Sequence, residues 1–173
     1  MKRGKGKNKG SAFERHVAKL FDKYWEVPKD TFWRTPNSGG WREVGDVYCR
    51  DKSIWFPFIV ECKAYKTLNL LKVLKDEKKT DLYKWWLQVS AEADVAWNNG
   101  RAENLCKRLL VIKINNFPLL CMFAENELPP FDINNITSHF HFKLTDDNVI
   151  LCQFSDFQKI FSKSFLEKEL NKK

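Results

Sequence analysis

The chain has 173 residues, of which 43% are hydrophobic and 30% are charged, and its formal net charge is +8. This length and apolar content fit one domain with a core of its own, whereas no apolar run is long enough to cross a bilayer and the basic N-terminus lacks the apolar stretch of a secretory signal. Five scattered cysteines without a CxxC pair argue against a disulfide framework or a zinc site and indicate a reducing cytoplasm.

The N-terminal segment is strongly basic. Residues 1–10 contain no acidic residue and no apolar residue apart from Met1. We therefore expect a flexible basic arm over these ten residues, suited to contacting the phosphates of a nucleic acid, although a solubilising arm has the same composition. Its basic residues are Lys2, Arg3, Lys5, Lys7 and Lys9.

The apolar spacing predicts a mixed α and β chain with no internal repeat and no linker. The first helix begins at a capping box formed by Ser11 and Glu14, and "TPNSGGW" after the first strand has the composition of a loop. The predicted elements, in chain order, are a helix over 11–25, strands at 32–34, 46–49 and 55–62, a short helix or mobile flap over 66–79, a helix from Thr80 to about Asn99, a hairpin of strands at 109–114 and 119–123, weaker strands at 139–144 and 149–154, and a helix over 155–169.

The stretch "FIVECKAY" combines a buried strand with charged residues at its end. Strand side chains alternate between faces, so Glu61 and Lys63 share one face and Cys62 points to the other. Asp46, on a neighbouring strand, brings a second carboxylate, and two close carboxylates repel each other unless a cation lies between them. An exposed ion pair at a strand end is the alternative interpretation of the triplet.

A magnesium ion would resolve the repulsion between the two carboxylates. Mg²⁺ is typically held by one or two carboxylates together with waters and substrate phosphate, and the carbonyl of Cys62 is a further candidate ligand. Lys63 would then stabilise negative charge on a phosphate or orient an attacking water. The pattern therefore favours metal-dependent phosphodiester hydrolysis, in which the ion lowers the pKa of that water.

Four motifs in order carry a resemblance to a known family. They are "GSAFER" with Arg34, "SGG", "GDV" and "IVECK", and they resemble the PD-(D/E)xK nuclease superfamily, in particular archaeal-type Holliday junction resolvases and their phage-encoded relatives. The resemblance covers about residues 9–114 and implies an α/β, restriction-endonuclease-like fold in which helices flank a central mixed sheet. We expect a single nuclease domain over 11–173, with its core at about 11–124 and a C-terminal extension over 125–173.

The resemblance also implies roles for individual residues. Asp46 and Glu61 match the metal-binding carboxylates, Lys63 matches the catalytic lysine, and Glu14 matches an acidic residue that the first helix brings to the metal. Two further positions match: Ser38 matches a serine beside the scissile phosphate, and Gln88 matches a site glutamine. Three of these residues have alternatives: Glu14 as part of the capping box, Ser38 as a turn residue, and Gln88 as a buried amide. The loop between Ser38 and Asp46 is longer than usual, which leaves Glu43 as a competing carboxylate.

The implied activity is a Mg²⁺-dependent endonuclease, with Mn²⁺ able to substitute, that cuts four-way DNA junctions by symmetric nicks in recombination and repair. Such resolvases are homodimers, and the location would be a prokaryotic or phage-infected cytoplasm. Alternatives are an endonuclease of the same superfamily that acts on duplex, flapped or mismatched DNA, and a non-catalytic basic protein that binds nucleic acid. The expected DNA contacts are Lys2, Arg3, Lys5, Lys7, Lys9, Arg15, Arg34, Arg42, Lys66 and Lys72, although Arg34 and Arg42 fit local salt bridges as well.

Overall fold

The computed structural model describes residues 5–36, 44–101, 106–127 and 136–162. Short 3₁₀ turns at Glu77–Lys79 and Glu125–Glu127 accompany the regular elements. The helices are α1 (Lys5–Tyr24), α2 (Leu71–Lys75), α3 (Asp81–Asn98) and α4 (Phe154–Ile160), and the strands are β1 (Phe32–Arg34), β2 (Val47–Cys49), β3 (Phe58–Tyr65), β4 (Lys107–Ile114), β5 (Leu120–Ala124), β6 (His139–Leu144) and β7 (Asp147–Gln153).

The strands form one seven-stranded sheet in the order β1-β2-β3-β4-β5-β7-β6. β3 and β4 are parallel, which requires a crossover connection, and α3 lies in that connection. The other pairs are antiparallel, including the predicted β4–β5 hairpin. The expected fold class, an α/β chain with a central mixed sheet and flanking helices, is confirmed.

The two faces of the sheet bury separate cores. One core joins α1 and α4 to the sheet and includes Phe58, Val60 and, partly buried, Cys62. The other core joins α3 to the sheet and includes Ile59. Because side chains alternate along β3, Glu61 lies on the α3 face, which is why this strand can present a carboxylate to a helix that follows it in sequence.

The start of α1 differs from the prediction. The helix begins at Lys5 instead of residue 11, so residues 5–10 of the predicted flexible arm are helical, and the predicted capping box at Ser11 is wrong because Ser11 lies inside the helix. Lysine is a good helix former, and each glycine in this stretch opposes the helix by only about 1 kcal/mol. Without a proline, nothing in the segment stops the helix before Ser11.

Three other boundaries differ from the prediction. β3 begins at Phe58, three residues after the predicted start, because Pro57 has no N–H to donate within a sheet. Asp46 directly precedes β2 instead of belonging to it. The predicted helix over 155–169 is observed as Phe154–Ile160, and its last part lies outside the described residues.

The C-terminal third of the chain completes the sheet and one core. β5, β7 and β6 extend the sheet beyond β4, and Phe154, Phe157 and Phe161 pack into the same core as Phe58 and Phe123. The rings of Phe157 and Phe161 lie 5.6 and 5.0 Å from that of Phe58. The extension is therefore part of the structure that supports β3.

A charged network joins this extension to α3. The guanidinium of Arg108 donates to both carboxylate oxygens of Asp147, at 2.7 and 2.9 Å, and to Glu127. It also lies 4.7 Å from the ring centre of Trp86, whose indole nitrogen donates to Asp147 at 2.9 Å. None of the helices in the described ranges is long and apolar enough to cross a membrane.

Candidate active site

Asp46 is placed by a close approach between two backbones. Its amide donates to the carbonyl of Val60, and Gly45 before it has φ +86°. A Cβ atom on Gly45 would lie 3.0 Å from the nitrogen and from the oxygen of Val60. Only glycine fits that space and conformation easily, which gives the Gly-Asp dipeptide a physical reason.

The side chain of Asp46 faces the edge of β3. Its Oδ2 accepts a hydrogen bond from the amide of Cys62 at 2.9 Å. The N–H and C=O groups of one strand residue point to the same edge, so the Cys62 carbonyl also faces Asp46. β2 pairs with β3 only at Val47 and Val60, and it therefore leaves this part of the edge to the carboxylate.

Glu61 and Lys63 form a closed set of hydrogen bonds with Gln88. Lys63 Nζ donates to Glu61 Oε1 and, at 2.7 Å, to Gln88 Oε1. Gln88 Nε2 donates to Glu61 Oε1 at 2.9 Å. Residues of β3 and α3 that are far apart in sequence thus meet on one face of the sheet. Gln88 is exposed, and this exposure does not fit the alternative that it is a buried core amide.

Glu61 has an unsatisfied oxygen. The residue is 2% exposed, and its Oε2 is buried with no hydrogen-bond partner among the described residues. A buried carboxylate oxygen without a partner is unfavourable by itself, because its hydration is lost and nothing replaces it. A cation at this position would supply the missing contact.

Burial raises the pKa of both carboxyl groups. At Asp46 the negative charges of Glu14 and Glu92 add to that effect, while the amide of Cys62 and the ammonium of Lys63 oppose it. At Glu61 the charge of Asp46 adds to the effect of burial, and Lys63 opposes it. The two acids thus favour protonation when no cation is bound, and a cation must displace that proton.

Glu14 lies near these acids but bonds elsewhere. Its Oε2 accepts from Arg34 Nε in a half-buried ion pair between α1 and β1. Of the two alternatives for Arg34, a phosphate contact and a local salt bridge, the structure has the local salt bridge. The negative charge of Glu14 nevertheless raises the pKa of Asp46. The helix α1 therefore brings a carboxylate near the site, although the hydrogen bond of that carboxylate is to Arg34.

Glu92 belongs to this group and was not predicted from the sequence. It accepts from Gln88 Nε2 at 3.2 Å, and its charge raises the pKa of both Asp46 and Glu61. Its position four residues after Gln88 on one helix is the signal that could have found it, since such residues are neighbours on the helix surface.

The remaining predicted residues are distributed as follows. Ser38, Arg42 and Glu43 lie outside the described residues, as do Lys2 and Arg3. The exposed residues of this set are Lys9, Arg15, Lys66 and Lys72. The helix α1 also contains Lys5 and Lys7.

The donors present fit a magnesium ion. Asp46, Glu61 Oε2 and the Cys62 carbonyl are all oxygen donors, the type that Mg²⁺ prefers. Across the described ranges, no group of three or more histidine, cysteine, aspartate or glutamate side chains could hold a metal ion. Magnesium needs only one or two carboxylates because waters and phosphate complete its shell, so the two acids are sufficient.

Comparison with known proteins identifies similar sequences and structures. The profile of a family described as "Phage putative PDDEXK endonuclease" matches residues 5–168. No curated protein sequence matches the chain. Among solved structures, Hjc, a Holliday junction resolvase from Archaeoglobus fulgidus, is similar at 14% identity over 88% of this chain and 95% of that chain, with a TM-score of 0.35.

Proposed function

Because the chain belongs to the family of phage PDDEXK endonucleases, we propose that this endonuclease is Mg²⁺-dependent and resolves four-way DNA junctions. One observation carries the metal dependence: two buried carboxylates with raised pKa values, Asp46 and Glu61, lie beside a lysine. Nucleases with this motif generally use divalent metals. The same premise supports a single nuclease domain over 11–173, since one sheet runs from β1 to β7.

Asp46, Glu61 and the Cys62 carbonyl would hold the ion. When bound, Mg²⁺ polarises the scissile phosphate and makes a water acidic enough to attack it, and Mn²⁺ has the coordination preferences to substitute. Glu61 would contribute Oε2, which has no hydrogen-bond partner in the described part of the chain. Asp46 keeps its bond to the Cys62 amide through Oδ2, which leaves Oδ1 for the ion.

Lys63 would contact the scissile phosphate of the substrate. Its ammonium is held between Glu61 and Gln88, and the side chain is 16% exposed, so one face of it remains open toward solvent. As negative charge builds on the phosphate oxygens, a positioned ammonium stabilises it more than it stabilises the ground state. Gln88 Oε1 gives the lysine a second acceptor besides Glu61 Oε1.

A basic groove beside the site supports DNA as the substrate. It has a volume of about 340 Å³ and lies between α1 and the ends of β3 and β4. Its lining includes Lys9, His16 and Lys113, and none of the described residues that line it is acidic. Ala64 and Tyr65, at the end of β3, also line it, so the groove adjoins the strand that carries Glu61 and Lys63 and offers cations to the phosphates of DNA.

The sequence motifs that resemble those of Holliday junction resolvases support a four-way junction as the substrate. Symmetric nicks require two active sites related by a twofold axis, so the proposal includes a homodimer. Lys66, Lys72 and Arg15 are exposed and are available to contact junction arms.

A cleavage assay tests the proposal. A labelled four-way junction and a linear duplex built from the same arms are incubated with Mg²⁺, with Mn²⁺ and with EDTA. We expect paired, symmetric nicks on the junction with either metal and none with EDTA. Equal cutting of both substrates would replace the junction with plain duplex as the substrate, and cleavage in EDTA would overturn the metal dependence.

A further inference from the structure

Glu92 has no role in the proposed chemistry, yet it is hydrogen-bonded to the site. Gln88 Nε2 carries two hydrogens, and the structure gives each an acceptor: Glu61 Oε1 at 2.9 Å and Glu92 Oε1 at 3.2 Å. The amide oxygen of Gln88 accepts from Lys63 Nζ at 2.7 Å. Every polar atom of the Gln88 amide is therefore engaged.

With Lys63 charged and both carboxylates ionised, these partners allow only one orientation of the amide. The lysine ammonium can only donate hydrogen bonds, and ionised carboxylates can only accept them. If the amide were turned over, its oxygen would face Glu61 and Glu92 while its NH₂ group faced Lys63, and both contacts would become repulsive. With Glu92 present, two acceptors instead of one oppose that rotation.

Stability does not explain the position of Glu92. Its Oε2 is buried and has no hydrogen-bond partner among the described residues. A carboxylate that loses hydration at one oxygen and bonds through the other is unfavourable compared with a solvated one. Violations of this kind are typical of functional sites.

We propose that Glu92 is a positioning residue of the nuclease site, which acts through the Gln88 amide to hold Lys63 in place. The proposal rests on the proposed function, in which Lys63 meets the phosphate. In this role Glu92 would contact neither substrate nor ion. It holds Gln88 Nε2, which turns Gln88 Oε1 toward Lys63 and so gives the lysine a fixed acceptor besides Glu61.

The test is a double-mutant cycle. Glu92→Ala and Gln88→Ala are each expected to lower kcat by about 10- to 100-fold, the usual effect of groups that orient a site residue, with little change in the KM for DNA. Because both variants remove the same connection, the double variant should lose no more than Gln88→Ala alone. Asp94→Ala, an exposed acid on the same helix, is the matched control and should behave like the wild type.

A conservative variant and a binding measurement separate positioning from other roles. Glu92→Gln keeps an oxygen that accepts from Gln88 Nε2 and should restore most of the activity that Glu92→Ala loses, and it also tests the proposal if the alanine variant does not fold. Calorimetry with Ca²⁺ should give Glu92→Ala an affinity within about tenfold of Asp94→Ala, whereas loss of a ligand weakens binding more than an outer contact does.

The results that would overturn the positioning role of Glu92 differ from the result that would overturn the nuclease activity. Additive losses in the double variant, no rescue by Glu92→Gln, or a much weaker Ca²⁺ affinity in Glu92→Ala would overturn the positioning role while cleavage by the wild type upheld the proposed function. Absence of cleavage by the wild type would overturn the proposed function and this inference with it.

Discussion

The amide of Cys62 donates to Oδ2 of Asp46 at 2.9 Å, so a residue of the E-x-K triplet fixes the aspartate of the preceding motif. The bond crosses from β3 to the residue before β2. It uses one carboxylate oxygen of Asp46 and lies at the part of the β3 edge where β2 does not pair. The two short motifs are thus one structural unit.

The substitution Asp46→Asn removes the negative charge of the aspartate but keeps an acceptor for the Cys62 amide. Asparagine keeps an oxygen that accepts from Cys62, so the fold should remain, but it removes a charged ligand. We expect cleavage to fall by more than the about 100-fold typical of outer-shell changes, while junction binding in Ca²⁺ persists in a gel-shift assay. Asp94→Asn is the control, and a wild-type rate in Asp46→Asn would remove Asp46 from the metal site.

Glu61→Gln should stabilise the metal-free protein at high pH. Burial and the charge of Asp46 raise the pKa of Glu61 in the folded state, so the folded chain keeps a proton that the unfolded chain loses above about pH 4. Stability therefore falls as pH rises from that value through the raised pKa. The neutral glutamine avoids this loss, and we expect a gain of about 1–3 kcal/mol at pH 9.

Urea unfolding in EDTA at pH 4 and pH 9 measures this difference. The gain should be present at pH 9 and nearly absent at pH 4, and added Mg²⁺ should stabilise only the wild type, because the ion binds only the folded chain that retains its ligand. An equal effect of the substitution at both pH values would show that burial does not raise the pKa of Glu61.

Gly45→Ala tests the close approach that places Asp46. Gly100 has the same φ of +86° but has nothing within 4 Å of an added Cβ, whereas at Gly45 that atom would meet the Val60 backbone. We expect about 1 kcal/mol of destabilisation for Gly100→Ala, from conformation alone. Gly45→Ala should lose more than about 2 kcal/mol because a backbone clash is added, together with most of its activity. Equal unfolding free energies would contradict the clash.

Arg108→Met tests the network between the core and the C-terminal extension. Arg108 bonds Asp147 and Glu127, and the side chains of these three residues are 15–20% exposed. Removing the cation leaves two partly buried carboxylates unpaired, which typically destabilises a protein by about 3–5 kcal/mol. Lys84→Met, at an exposed pair with Asp81, should change stability by less than about 1 kcal/mol. Thermal unfolding compares them, and similar melting temperatures would show that the network adds no stability.

Residue type and short-range spacing correctly predicted the parts of the fold that depend on residues close together in sequence. Thr80 caps α3 by accepting from the amide of Tyr83 at 3.1 Å, as its type and position favour. Strand alternation correctly put Glu61 and Lys63 on one face and Cys62 on the other. The start of α1 was missed because a capping box describes how a helix can begin and does not prevent an earlier start.

The sequence by itself determined the order of elements, the acid and lysine on one face of β3, and the family motifs, because each follows from residue type and short spacing. Only the tertiary structure decided which groups meet: Gln88 between Glu61 and Lys63, Glu92 beside Gln88, and Glu14 on Arg34. These contacts depend on how α3 and α1 pack against opposite faces of the sheet. Packing of that kind is set by the whole core, including the Phe-rich C-terminal extension, and no short stretch of sequence records it.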